Sequence, residues 1–160
     1  MKRIYSVLVE NRAGVLNKVA GLFSRRAYNI ESLAVGETDD PTVSAMTIVS
    51  SGNQQTIEQI EKQLNKKLDV IKVKVYEESQ CITRELMLLK VKYNRDNRKD
   101  IMEISSIMKA EIVDMSKTHM TLQICDTPER TALLIKMLQG ISITEVARTG
   151  ALALQKCNEE

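Results

Sequence analysis

The residues of this chain best suited to recognition chemistry lie together in Asn11-Arg12-Ala13-Gly14-Val15-Leu16. The segment separates an apolar run, residues 3–9, from Val15, Leu16, Val19, Leu22 and Phe23, which recur at the spacing of one helix face. A helix start offers unpaired N–H groups and the positive end of the helix dipole, and both suit a carboxylate. Gly14 has no Cβ, so a ligand can approach the backbone closely. Asn11 can donate and accept, as holding an α-amino acid requires. The same two residues equally suit plain turn chemistry, with Gly14 satisfying a turn and Asn11 capping the helix. Residues for bond-making chemistry are scarce. His119 is the single His and falls in a predicted turn. No P-loop, GxGxxG or HExxH occurs. Asp39-Asp40 precede Pro41 and read as turn residues rather than metal ligands. Cys81, Cys125 and Cys157 lie far apart without a CxxC and read as reduced, small core thiols. No catalytic residue and no metal site is expected.

The elements that must position the loop follow a repeated order. Residues 3–9 read as a buried strand and 15–26 as a helix closed by Arg25-Arg26. Residues 30–36 and 43–50 read as a hairpin about Glu37-Thr38-Asp39-Asp40-Pro41-Thr42. Gly52-Asn53 open a second helix with Ile57, Ile60 and Leu64 on one face. Ile71, Val73 and Val75 then alternate with Lys72 and Lys74, predicting a half-exposed strand. The order β-α-β-β-α-β returns in the second half. There a strand holds Leu86, Leu88, Val91 and Tyr93, and a helix holds Ile101, Ile104 and Met108. Short strands at 111–116 and 120–125 follow. A helix is then capped by Thr127 with Pro128 at its first position, faced by Leu133, Leu134, Met137 and Leu138, and ended by Gly140. Residues 141–147 read as the last strand. The fold class is therefore α+β, with two ferredoxin-like βαββαβ domains in tandem at 1–76 and 81–160, joined by a polar hinge, Glu77-Glu78-Ser79-Gln80. Each is small enough to need help from a partner surface.

Composition removes several function classes. Hydrophobic residues are 43% and charged residues 28%, a globular composition. Net charge is only +2 and is shared evenly between the halves, and aromatics are 3%. Nucleic-acid binding needs clustered cations or stacking platforms, so it is not expected. No apolar run approaches the roughly 20 residues that span a bilayer. With reduced cysteines and no signal or transit pattern at the start, a cytoplasmic location is expected.

Asn-Arg-Ala-Gly-Val-Leu after a strand resembles the ligand-sensing ACT domain. More narrowly, Tyr28-Asn29-Ile30-Glu31-Ser32-Leu33-Ala34-Val35-Gly36 resembles the NIESL-x-VG signature of acetolactate synthase small subunits. Asp40-Pro41-Thr42-Val43-Ser44, Met46-Thr47-Ile48-Val49, Arg84-Glu85-Leu86, Lys90-Val91, Ile112-Val113-Asp114 and Arg148-Thr149-Gly150 extend the likeness over nearly the whole chain. Ala45 and Ala151 stand where that pattern has Arg. The resemblance implies a regulatory chain without an active site. Its partner would be a large catalytic subunit that binds thiamine diphosphate, Mg²⁺ and FAD and forms acetolactate from pyruvate. It further implies feedback inhibition by a branched-chain amino acid, usually valine, at a site shared across an ACT homodimer. Asn11, Gly14, Val15 and Leu16 would come from one chain, and Asn29 and Ile30, opening the second strand, from the other. A free-standing amino-acid sensor is the alternative.

Overall fold

A computed structural model describes residues 1–159. It divides into two compact units, the first made of Met1–Ile82 together with the segment from Ala151 onward, the second of Thr83–Gly150.

In the first unit, strand β1 (Lys2–Glu10) is central. Alternation places Tyr5, Val7 and Val9 on one face of it. Helix α1 (Val15–Arg25) follows, then the hairpin β2 (Ser32–Glu37) and β3 (Val43–Ser51), helix α2 (Gln54–Asn65) and strand β4 (Val70–Tyr76). The antiparallel sheet runs β2-β3-β1-β4. Val15, Val19, Leu22 and Phe23 of α1 and Ile60 and Leu64 of α2 cover the Tyr5–Val9 face, with Met46 and Ile48 from β3. Tyr5 and Phe23 meet edge to face at 6.2 Å. The register slips between Leu8 and Val9, where Lys72 and then Val70 are the partners. Ile71 falls in this bulge and is turned outward, exposed, although the alternation of β4 predicts it inside.

The predicted hinge is an ordered 3-10 turn, Glu78–Gln80, with Glu77 and Gln80 capping each other's backbone. Arg3 pairs with Glu77 at 2.8 Å and Lys2 with Glu78 at 2.8 Å, so β1 ties it down.

Strand β5 (Cys81–Lys92) continues into the second unit, followed by α3 (Arg98–Met108), β6 (Glu111–Met115), β7 (His119–Asp126), α4 (Pro128–Met137) and β8 (Ile143–Arg148), with sheet order β6-β7-β5-β8. His119 opens β7 rather than lying in the turn. Met87, Leu89, Val91, Met120, Leu122 and Ile124 cluster with Ile101, Met108 and Leu134 of the helices and with Leu138 just past the end of α4. Leu133, read from sequence as part of the buried helix face, is exposed. Thr127 caps α4 as expected, accepting from the Arg130 amide. Beneath α4, buried Glu85 accepts from Arg148 Nε at 2.5 Å, Arg148 Nη2 at 2.9 Å and Thr131 Oγ1 at 3.0 Å.

The segment from Ala151 onward, at the end of the 81–160 stretch, groups with the first unit. A ninth strand, β9 (Leu152–Gln155), pairs with β5, and the Lys156 amide donates to Gln80 O at 2.9 Å. Ala151 and Ala153 are 7% and 9% exposed and pack on Ile4, Val49, Tyr76 and Cys81, while Leu152 and Leu154 are 55% and 77% exposed. Hydrophobicity alone would turn the leucines in. The methyl side chains are the ones that let β9 lie close against the open face of the first sheet. Ala153→Asp is expected to place a carboxylate in that apolar contact and to cost at least ~2 kcal/mol. Urea unfolding checks this, against a Leu154→Asp control that should cost little.

Candidate functional site

The loop after β1 is fixed from two sides. On one, the Asn11 amide donates to Thr42 O at 2.8 Å, and Asn11 Nδ2 donates to Pro41 O at 2.9 Å and to Glu37 Oε1 at 3.0 Å. Asn11 therefore clasps the end of the β2–β3 hairpin and does not cap α1. On the other, Asp69, 7% exposed, accepts from Arg12 Nη2 at 2.5 Å and Lys18 Nζ at 2.8 Å, while its carbonyl accepts from the Glu10 amide at 2.9 Å. Arg12 also pairs with Glu10. The Lys18 hydrogen bond, backed by the Arg12 hydrogen bond and both charges, outweighs partial burial and holds the Asp69 carboxyl below the usual carboxylate range. Asp69 escaped the sequence reading because nothing in Lys67-Leu68-Asp69-Val70 marks it. Its role arises only when the start of β4 returns beside β1.

Gly14 is the residue immediately before α1, with φ +87°, in the left-handed region that glycine occupies without steric cost. A Cβ added there would meet nothing within 4 Å, so the space in front of it is open. No side chain caps α1, whereas Asn53 caps α2. The amides of Leu16 and Asn17 find no acceptor among the described residues. Unpaired donors, the helix dipole and an open approach thus coincide at one place. Val15 is buried in the core, and Leu16 is exposed beside the vacant amides.

Asn29 and Ile30 do not open β2, which begins at Ser32; they lie in the irregular segment before it. Ile30 is part-buried against the first core, and the Asn29 carbonyl accepts from Ser50 Oγ at 2.7 Å. This segment sits at the start of β1, since the Glu31 amide donates to Val49 O and Val49 is paired with Ile4. Asn11 sits at its end. At ~3.3 Å per residue the two groups lie roughly 23 Å apart along β1. One chain brings Asn11, Gly14, Val15 and Leu16 together but leaves Asn29 and Ile30 at the opposite end of the sheet. Both groups flank β2, an edge strand with one side unpaired within the chain.

Two βαββαβ sheets, each backed by two helices, define a tandem ferredoxin-like protein whose first unit presents an anion-receptive helix start. Residues 5–72 match a family described as the AHAS small subunit-like ACT domain, and residues 84–157 match the small subunit of acetolactate synthase. The acetolactate synthase small subunit of Buchnera aphidicola subsp. Schizaphis graminum is 42% identical over 98% of this chain and 99% of its own length. The isozyme 3 small subunit of Escherichia coli K12 is 40% identical over 98% and 96%. The crystal structure of the Thermotoga maritima small subunit matches with a TM-score of 0.91 and 34% identity, covering 98% of both chains. The chain belongs to the acetolactate synthase small-subunit family, a family of non-catalytic regulatory subunits. Membership implies a catalytic large-subunit partner. No helix among the described residues is long and apolar enough to cross a membrane.

Proposed function

We propose that this chain docks on a cytoplasmic acetolactate synthase large subunit, raises its activity and imposes feedback inhibition by a branched-chain amino acid, valine foremost. Thiamine diphosphate, Mg²⁺ and FAD belong to that large subunit, which joins pyruvate to a second 2-oxo acid. The effector site forms between two copies of the first unit.

The observation that carries the reading is the placement of the two residue groups at opposite ends of β2. Asn29 and Ile30 precede its first residue, and Glu37, its last, touches Asn11. When two β2 edges pair antiparallel about a two-fold axis, the start of one strand meets the end of the other. That pairing sets Asn29 and Ile30 of one copy beside Asn11 and the Gly14 loop of the next, twice per dimer, and removes both free edges. The amides at the start of α1 take the effector carboxylate, the two asparagines its polar remainder, and Leu16 and Ile30 its branched side chain. Valine acts by favouring the state in which this interface is ordered, and the large subunit reads that state through its docked surface.

Reconstitution tests the proposal. The purified chain with pyruvate, thiamine diphosphate, Mg²⁺ and FAD is expected to form no acetolactate. Added to the large subunit, it is expected to raise turnover and make it valine-sensitive. Turnover by the chain alone, or a large subunit indifferent to it, overturns the reading.

A further inference from the structure

Asn11 spends both hydrogens of its side-chain amide inside the chain, on Glu37 Oε1 at 3.0 Å and Pro41 O at 2.9 Å. Two acceptors on the same side settle which end of the amide is which, so Nδ2 faces the hairpin and Oδ1 faces away. Oδ1 can only accept. Glu37 is exposed, its Oε2 has no partner among the described residues, and a carboxylate too can only accept. At the end of the β2 edge the chain thus places two acceptors side by side, one carrying a full negative charge, while the donors of the region are the α1 amides. Arg12 and Lys18 are paired with Asp69 and Glu10, and neither makes an ion pair with Glu37 among the described residues.

We propose that Glu37, clasped by Asn11, supplies the charge that recognises the ammonium group of the effector and rejects the 2-oxo acid with the same side chain. The inference rests on the effector site proposed above. A 2-oxo acid has the same carboxylate and the same branched chain, so neither the α1 amides nor the apolar contacts separate it from the amino acid. Its keto oxygen would face two acceptors, one of them an anion, with only the Asn29 amide of the other copy left to donate to it, whereas an ammonium offers three donors and a positive charge. The discrimination bears on regulation, since the catalytic subunit's own substrates are 2-oxo acids. A sensor that bound them would report substrate as though it were end product.

The test is calorimetric titration of the full-length wild-type and Glu37→Gln chains with L-valine and with 3-methyl-2-oxobutanoate. Gln keeps the shape and an acceptor oxygen for Asn11, removes the charge and replaces the second acceptor with an NH₂ donor. Wild type is expected to prefer valine strongly. Glu37→Gln is expected to bind valine ~10- to 100-fold more weakly, as loss of a charge-assisted hydrogen bond predicts. Its 2-oxo acid binding should stay level or rise, so that the preference collapses. Unchanged valine affinity in Glu37→Gln overturns the inference while leaving the effector site standing. Equal weakening for both ligands also overturns it, since the residue then acts on the fold of the loop and not on the ammonium. A wild-type dimer that binds no branched-chain amino acid overturns the effector site itself, and this inference with it.

Discussion

A Gly14→Asp chain is expected to fold, to activate the large subunit and to bind valine at least ~100-fold more weakly, so that feedback inhibition is lost. Space is not the obstacle, because a Cβ at this position meets no atom within 4 Å. The structural cost is the left-handed backbone, φ +87°, which any other residue occupies at a penalty of about 1 kcal/mol. The functional cost is larger. The new carboxylate aims at the same vacant amides of Leu16 and Asn17 that the effector carboxylate needs, occupying them and repelling it. Gly14→Ala bears the same backbone strain without the charge and should keep a measurable valine response. Valine titration of activity with the three chains separates these effects. Equal loss in Ala and Asp variants would make Gly14 a turn residue only. Normal inhibition in a folded Gly14→Asp complex would place the effector elsewhere.

The second large effect is expected in the other unit. Arg148→Ala should destabilise it by roughly 1–3 kcal/mol, because it leaves the buried Glu85 carboxylate without its charge partner, solvent reaching the pair only through the 42% exposed Arg148 side chain. Glu85 is 3% exposed and takes both of its charge-assisted hydrogen bonds from Arg148. Burial pushes its carboxyl up, but hydrogen bonds from Arg148 and Thr131 and the Arg148 charge outweigh it, leaving the group below its ordinary value of 4.5. A group depressed on folding stabilises the native state above its unfolded value. That contribution fades as pH falls through the lower, folded one. Wild type should therefore lose this contribution on acidification below about pH 4.5. In Arg148→Ala the uncompensated carboxyl is expected to titrate above its ordinary value, so the variant gains relative stability as it protonates. The gap between the two proteins in urea unfolding should narrow from pH 7 to pH 4. A gap under ~1 kcal/mol, or one independent of pH, would mean the pair is solvated and contributes little. The double variant Arg148→Met, Glu85→Leu is expected to recover much of the loss.

Periodicity made both βαββαβ repeats legible, since each helix and each central strand buries an apolar stripe that no alternative element could hide. It misled where a single strand departs from the rule. Ile71 alternates correctly but falls in a bulge. The Asn11–Leu16 segment was legible as the connection between β1 and α1, and Gly14 takes a positive φ there. The clasp of Asn11 on Glu37 and the hold of Asp69 on Arg12 and Lys18 were not legible. Each joins residues 26 to 57 positions apart, through contacts that exist only after the hairpin and β4 are placed. The distance of Asn29 from Asn11 likewise follows from register, not from composition.

The return of β9 has a consequence for how the chain is made. The first unit is discontinuous: Met1–Ile82 emerges first, and the segment that covers its open face begins only at Ala151. At roughly 5–20 residues per second of synthesis, translating Thr83–Gly150 interposes several seconds in which Ile4, Val49 and Tyr76 lack their cover. The hydrogen bond from the Ala151 amide to Ser32 Oγ closes a loop of 119 residues, so it forms late in folding. The nascent amino-terminal unit is thus an apolar-faced species on the ribosome, and a message truncated within the second unit yields a chain disposed to aggregate. Only a chain extended through β9 covers that sheet.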